Sequence, residues 1–200
     1  MRESHVERAV AAARALIDML PATLVYHDRE HTLGTVLPAA ERFAADEGLD
    51  EHVRGLVAIA AAFHDTGFLE RYRGHEDVSV RFAEEAMRPL GFGEGDIAAV
   101  RGMILATRLP QTPHTLAERI LADADLDSLG RDDFETTNAL LRQELASVGT
   151  VLDDAAWLAQ QAAFLRGHIY FTEAARRARD AGKRRNLALL EELARTLRDR

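Results

Sequence analysis

Apolar positions recur every three or four residues along nearly the whole chain, and no stretch alternates at strand spacing. Val6, Val10, Ala13, Leu16, Ile17 and Leu20 share one helical face, which Ser4-His5-Val6-Glu7 opens as a capping box and Pro21 closes. A second helix is expected over about 24–47, with Pro38 kinking or splitting it and Gly48 stopping it. Asp50 can cap a third, which runs through Leu56, Val57, Ile59 and Ala60 to Phe63. A run that apolar belongs in the core, yet it ends in His64-Asp65, followed by Thr66-Gly67. The polar stretch 70–76 reads as a loop, followed by helices over about 77–88 and 96–106 with a turn at Pro89–Gly93 between them. Thr115-Leu116-Ala117-Glu118 is a second capping box, opening a helix with Ile120, Leu121, Ala124 and Leu129 that Gly130 stops. Asp132-Asp133 start a helix through about Ser147, and the last fifty residues read as two or three helices broken near Gly167 and Gly182. The expected fold is all-α: a compact helical body over 1–150 and a C-terminal helical extension over 151–200 packed on it.

Composition narrows the class. Two hundred residues, 47% of them hydrophobic and 29% charged, suit one soluble domain with a real core. There is no cysteine, hence no disulfide, thiolate ligand or thiol nucleophile, which fits a cytoplasmic setting. Charges at Arg2, Glu3, Glu7, Arg8, Arg14 and Asp18 speak against a secretory signal, and no apolar stretch approaches the roughly 20 residues of a membrane span. A net charge of −8 argues against general nucleic-acid binding. The charge is uneven: residues 166–200 hold ten basic and five acidic side chains, the remainder fifteen and twenty-eight. Such a basic arm is either a solvated helix face or a segment that docks on the acidic body, a partner or a phosphate.

Three clusters carry candidate chemistry. In Tyr26-His27-Asp28-Arg29-Glu30-His31-Thr32 the two histidines are four apart, so on a helix both rings face one way. The second cluster is His64-Asp65. The third, Asp123-Ala124-Asp125-Leu126-Asp127, puts three acids into an apolar helix, with Asp123 and Asp127 on one face and Asp125 off it. That string is poor helix design unless something binds the carboxylates. Histidine and carboxylate donors on three separate helices suit a divalent metal: Mn, Fe, Co, Ni, Zn or Mg. Taken singly, each cluster has a plainer explanation, as a chance pair of surface histidines, a satisfied core histidine or a helix-capping acid.

The ordered set resembles the HD superfamily of metal-dependent phosphohydrolases, over roughly residues 20–135. The resemblance implies an all-helical fold and one divalent metal held by His31, His64, Asp65 and Asp125, with Asp65 also orienting the attacking water. It implies hydrolysis of a phosphate mono- or diester, the substrate being a small phosphorylated molecule such as a nucleotide. His27 stands where related phosphodiesterases carry a general acid. His75, in Gly74-His75-Glu76, matches a second-metal ligand or phosphate contact of some relatives. Two-metal relatives often carry a further histidine where this chain has Thr107, which favours one ion over two. Arg71, Arg73, Arg108 and Arg131 are candidates to neutralise a phosphate. Other readings stay open: a silent metal- or nucleotide-binding module, a helical scaffold without metal, or a zinc peptidase through the His-x-x-Glu-His pattern of residues 27–31. A homodimer is compatible with a helical body of this size.

Overall fold

The computed structural model describes residues 4–198; Arg2, Glu3, Asp199 and Arg200, counted above among the terminal charges, lie outside them. Among the described residues there are nine α-helices and no strand. They are α1 (His5–Ile17), α2 (Leu37–Asp46), α3 (Glu51–Phe63), α4 (His75–Met87), α5 (Glu94–Ala106), α6 (Leu116–Asp125), α7 (Phe134–Ser147), α8 (Asp154–Gly167) and α9 (Glu173–Arg198). Among the described residues no helix is long and apolar enough to cross a membrane.

The central helix is α3. Every residue from Leu56 to Phe63 is buried, and α1, α2, α4, α5 and α6 all pack on it. Alanines at 58 and 60–62 let these neighbours approach closely, while Ile59 and Phe63, with no exposed surface, each contribute about 2–3 kcal/mol by burial. Asp50 caps the helix through Oδ1, which accepts the Val53 N–H at 2.9 Å. Ser4–Glu7 and Thr115–Glu118 both form reciprocal capping boxes.

Two expectations need correction. Helix 24–47 begins only at about residue 29, because residues 21–28 are turns, bends and irregular backbone. From Glu30 to Val36 the backbone is wound as a π-helix, and it tightens into α2 where Pro38 occupies the first turn. Proline lacks the N–H that an unbroken α-ladder would use there, and the expected split falls at this change of winding. Second, Gly182 does not break a helix but lies inside the continuous α9. A Cβ there would stand 1.9 Å from the Gly130 carbonyl oxygen, so this glycine serves a backbone-to-backbone approach.

A smaller core of Leu129, Phe134, Ala162, Leu165 and Leu190 lies beneath α7, α8 and α9. At its edge, Lys183 Nζ donates to the His168 carbonyl oxygen (2.5 Å) and stands 3.3 Å from His168 Nδ1. Burial, and then the Lys183 charge, push the His168 imidazole down to about 4. An unfolded histidine titrates near 6.5, so below that pH the unfolded chain binds a proton that the fold refuses. Stability present above pH 6.5 is therefore lost as the pH falls toward 4. Between pH 7 and 5 the expected loss from this residue is on the order of 1–2 kcal/mol, allowing for partial solvent screening. Urea unfolding at the two pH values should show His168→Gln losing less stability than wild type by that amount; parallel losses would contradict the assignment.

Candidate metal centre

The sequence places both acidic ligand candidates where helices end. His64 is the C-cap of α3, and Asp65 follows with φ −106° and ψ 0°, outside the regular helix. Asp125 is the last residue of α6. The carbonyl ends of two helices thus face the same place, an arrangement that favours a cation. Gly67 makes the turn after Asp65 possible: a Cβ there would stand 2.0 Å from the His75 carbonyl oxygen, and the Gly67 N–H donates to Ser79 Oγ at 2.8 Å. The first turn of α4 therefore lies directly on the turn, which brings His75 to Asp65.

His31, His64 and Asp65 are buried together, and one ligand atom from each lies within 4.8 Å of the others. His64 Nε2 is 3.2 Å and His31 Nε2 3.4 Å from Asp65 Oδ2. Asp125 Oδ1 stands 3.4 Å from both imidazole Nε2 atoms. Despite this proximity, His31 Nε2, His64 Nε2 and Asp65 Oδ2 are buried without a hydrogen-bond partner. Three orphaned polar atoms at one point are costly unless something sits between them. The spacings fit an ion: ligand bonds of about 2.1 Å put neighbouring ligands about 3.0–3.4 Å apart in octahedral to tetrahedral geometry. His64 Nδ1 donates to the Ala61 carbonyl oxygen at 2.8 Å, which fixes the ring and leaves Nε2 for the centre. Asp65 divides its carboxylate, since Oδ1 lies 3.2 Å from His75 Nε2, whose Nδ1 meets the Tyr72 carbonyl oxygen at 3.2 Å.

The electrostatics couple the two carboxyls to their imidazoles: against burial, Asp65 and Asp125 raise His31 to about 9 and His64 well above its ordinary value, so a metal binding here displaces protons from both rings. Burial alone would raise the Asp65 carboxyl, but His64, His31 and His75 hold it well below the ordinary range. Burial likewise opposes ionisation of Asp125, yet His31 and His64 lower it to about 2. Both carboxylates are thus charged and ready to ligate.

His27 is not on a helix, so the one-face relation with His31 gives way to an edge-on arrangement with ring centroids 5.5 Å apart. The ring is held instead by Glu144 of α7. This fully buried carboxylate accepts the Tyr26 and His27 N–H groups through Oε2 (2.8 and 3.0 Å). Its Oε1 lies 2.5 Å from His27 Nδ1 and accepts the Tyr72 hydroxyl at 2.8 Å. Burial raises the Glu144 carboxyl, and the bonds from His27 and Tyr26 more than offset it, so it ionises more readily than an ordinary glutamate. Phe68 packs on both His27 and His75, with centroids at 4.6 and 3.8 Å.

Glu144 was absent from the sequence candidates. Its signal was a charge on the inner stripe of α7, three residues after Leu141 and next to Leu145. The four arginines are exposed or half-exposed. Arg71 pairs with Asp77, Arg108 with Asp77 and Glu76, and Arg131 with Asp133, whereas Arg73 is simply exposed. Asp123 and Asp127 are buried and turned to the C-terminal arm. A scan against protein-family models and searches of curated proteins and of solved structures find no match to the chain.

Proposed function

We propose that the chain is a hydrolase of phosphate mono- or diesters, of the HD superfamily type, working with one divalent metal on His31, His64, Asp65 and Asp125. The observation that carries this reading is the set of three buried, unpartnered donor atoms, with Asp125 closing on two of them. A bound divalent ion supplies Lewis acidity, lowering the pKa of water toward neutrality and drawing electron density from a phosphoryl oxygen. The residues around it bind and orient. Asp65 holds its carboxylate between three imidazoles and can align a water through Oδ1. With Nδ1 of His27 committed to Glu144, Nε2 is the atom left to hand a proton to the leaving oxygen. Phe68, Tyr72 and Tyr26 pack around the His27 ring and restrict its orientation. The substrate is a small phosphorylated molecule, and the setting is cytoplasmic. The zinc-peptidase pattern finds less support, because His31 meets His64, Asp65 and Asp125 while His27 turns to Glu144.

His27→Asn tests the proton-donor role in cobalt- or manganese-loaded protein. Hydrolysis of an alkyl phosphoester is expected to fall about 10²–10³-fold, with metal content unchanged. A nitrophenyl ester, whose leaving group needs no proton, is expected to lose far less. Equal losses on both esters would remove His27 from that role. Failure of the loaded wild type to hydrolyse any phosphate mono- or diester would overturn the enzyme reading.

A further inference from the structure

Asp125 belongs to a string of three acids, and its two neighbours face away from the centre. Asp123, fully buried, accepts the Phe171 N–H through Oδ1 at 2.8 Å. Its Oδ2 accepts the Thr172 N–H at 2.8 Å and the Thr172 hydroxyl at 2.7 Å. Asp127, 1% exposed, takes the Arg179 guanidinium in both oxygens, from Nε at 2.6 Å and Nη2 at 2.9 Å, with Arg42 Nη2 further off at 3.6 Å. Between these grips the Tyr170 hydroxyl donates to the Leu126 carbonyl oxygen at 3.2 Å. Beyond them Asn186 Nδ2 donates to the carbonyl oxygens of Leu129 (2.9 Å) and Arg131 (3.0 Å). Gly130 and Gly182 bring the two backbones together, since a Cβ on either would collide with the other segment.

This matters for Asp125 because the regular helix ends there: Leu126 departs from helical geometry, with φ −99° and ψ 19°. A carboxylate at a helix end is held only as well as the chain beyond it. We propose that the C-terminal arm, residues 168–198, is a clamp that fixes the Asp125 carboxylate and thereby sets metal affinity, with Arg179 as the positioning residue. The proposal rests on the metal reading above. It accounts for three acids in five residues: the middle one serves the metal and the outer two hold the arm. It also gives part of the basic tail a partner in the acidic body. The bidentate guanidinium–carboxylate pair fixes direction as well as distance, which an ammonium cannot reproduce fully.

The test is cobalt titration of the metal-free full chain, reading both the dissociation constant and the visible absorption of bound cobalt, with circular dichroism as the check on folding. Arg179→Met is expected to weaken cobalt binding about 10–100-fold, the range typical of groups that orient a ligand, and to change the cobalt spectrum. Arg179→Lys is expected to recover part of the affinity. Thr172→Val, which removes one of three bonds to Asp123, is expected to give a smaller loss in the same direction, and it decides the matter together with Arg179→Lys if Arg179→Met does not fold. An arm that serves stability alone would lower the unfolding temperature and leave the cobalt constant and spectrum at wild-type values, and that result would overturn the clamp. Asp65→Ala, run alongside, separates the two claims. If wild type binds no cobalt, or Asp65→Ala binds it as tightly as wild type, the metal reading falls and the clamp with it. If Asp65→Ala loses cobalt while the arm variants keep it unchanged, only the clamp falls.

Discussion

Asp65→Ala is expected to abolish metal retention and to lower phosphoester hydrolysis by at least about 10³-fold, while the helical content stays that of wild type. The rate figure follows from the several kcal/mol that a Lewis-acidic ion contributes to a phosphoryl-transfer transition state, about 4 kcal/mol being a factor of ~10³. The residue is singular because its carboxylate meets three imidazoles at 3.2–3.4 Å, two through one oxygen and one through the other. Its removal leaves His31, His64 and His75 without the charge that gathers them. The fold is expected to survive because α3 is anchored by the apolar run from Leu56 to Phe63, which the substitution does not touch. Asp65→Asn keeps the volume and should behave alike, since an amide is a weak ligand for a hard cation. Elemental analysis and a hydrolysis assay on the same samples check both effects, and retained metal in both variants would contradict them.

The second large effect is expected at Glu144, a residue that touches none of the four proposed ligands. Glu144→Ala removes the acceptor of four donors: the Tyr26 and His27 backbone N–H groups, His27 Nδ1 and the Tyr72 hydroxyl. Breaking a buried charged partner from such a set costs about 3–5 kcal/mol, a large share of a typical domain's stability. The segment from Tyr26 leads directly into the π-wound turn that carries His31, so loosening it also frees a proposed metal ligand. Hydrolysis should fall about 10²-fold or more through the loss of His27 alignment. Glu144→Gln keeps the shape but turns an amide N–H toward donors, so an intermediate loss is expected. Urea unfolding reads the first quantity; a cost below about 1 kcal/mol with unchanged turnover would show that the Glu144 network is incidental.

The helices were legible in the sequence because the caps are local. Ser4, Asp50 and Thr115 act within three residues of themselves, and the structure shows each bond. That His31, His64 and Asp65 would be gathered, with Asp125 beside the two imidazoles, was legible only through the order of the motifs, since no periodicity states which histidine or which acid of a cluster turns inward. The face relation among the three acids did not hold as read, because the helix ends at Asp125 and Asp127 lies in the tighter turn beyond Leu126; contacts from the C-terminal arm, not helical spacing, turn Asp123 and Asp127 the same way. What the sequence hid was non-local. Pro38 was read as kinking or splitting its helix, and the span does divide just before it, but that the first part is wound as a π-helix was not legible. Gly182 was read as a stop, although its reason is the Gly130 carbonyl oxygen, 52 residues away in the chain. Glu144 looked like one more charge on an amphipathic helix, and only the fold reveals that the 26–31 segment lies over it.

The most direct test of the metal centre is the metal content of the purified wild-type chain, measured after incubation with Mn, Fe, Co, Ni, Zn and Mg in turn and removal of free ions. About one equivalent of at least one of these ions is the expected result, because donor atoms of His31, His64 and Asp65 lie within 4.8 Å of one another and Asp125 stands 3.4 Å from both imidazoles. A chain that retains none of them would contradict the reading that His31, His64, Asp65 and Asp125 form a metal site.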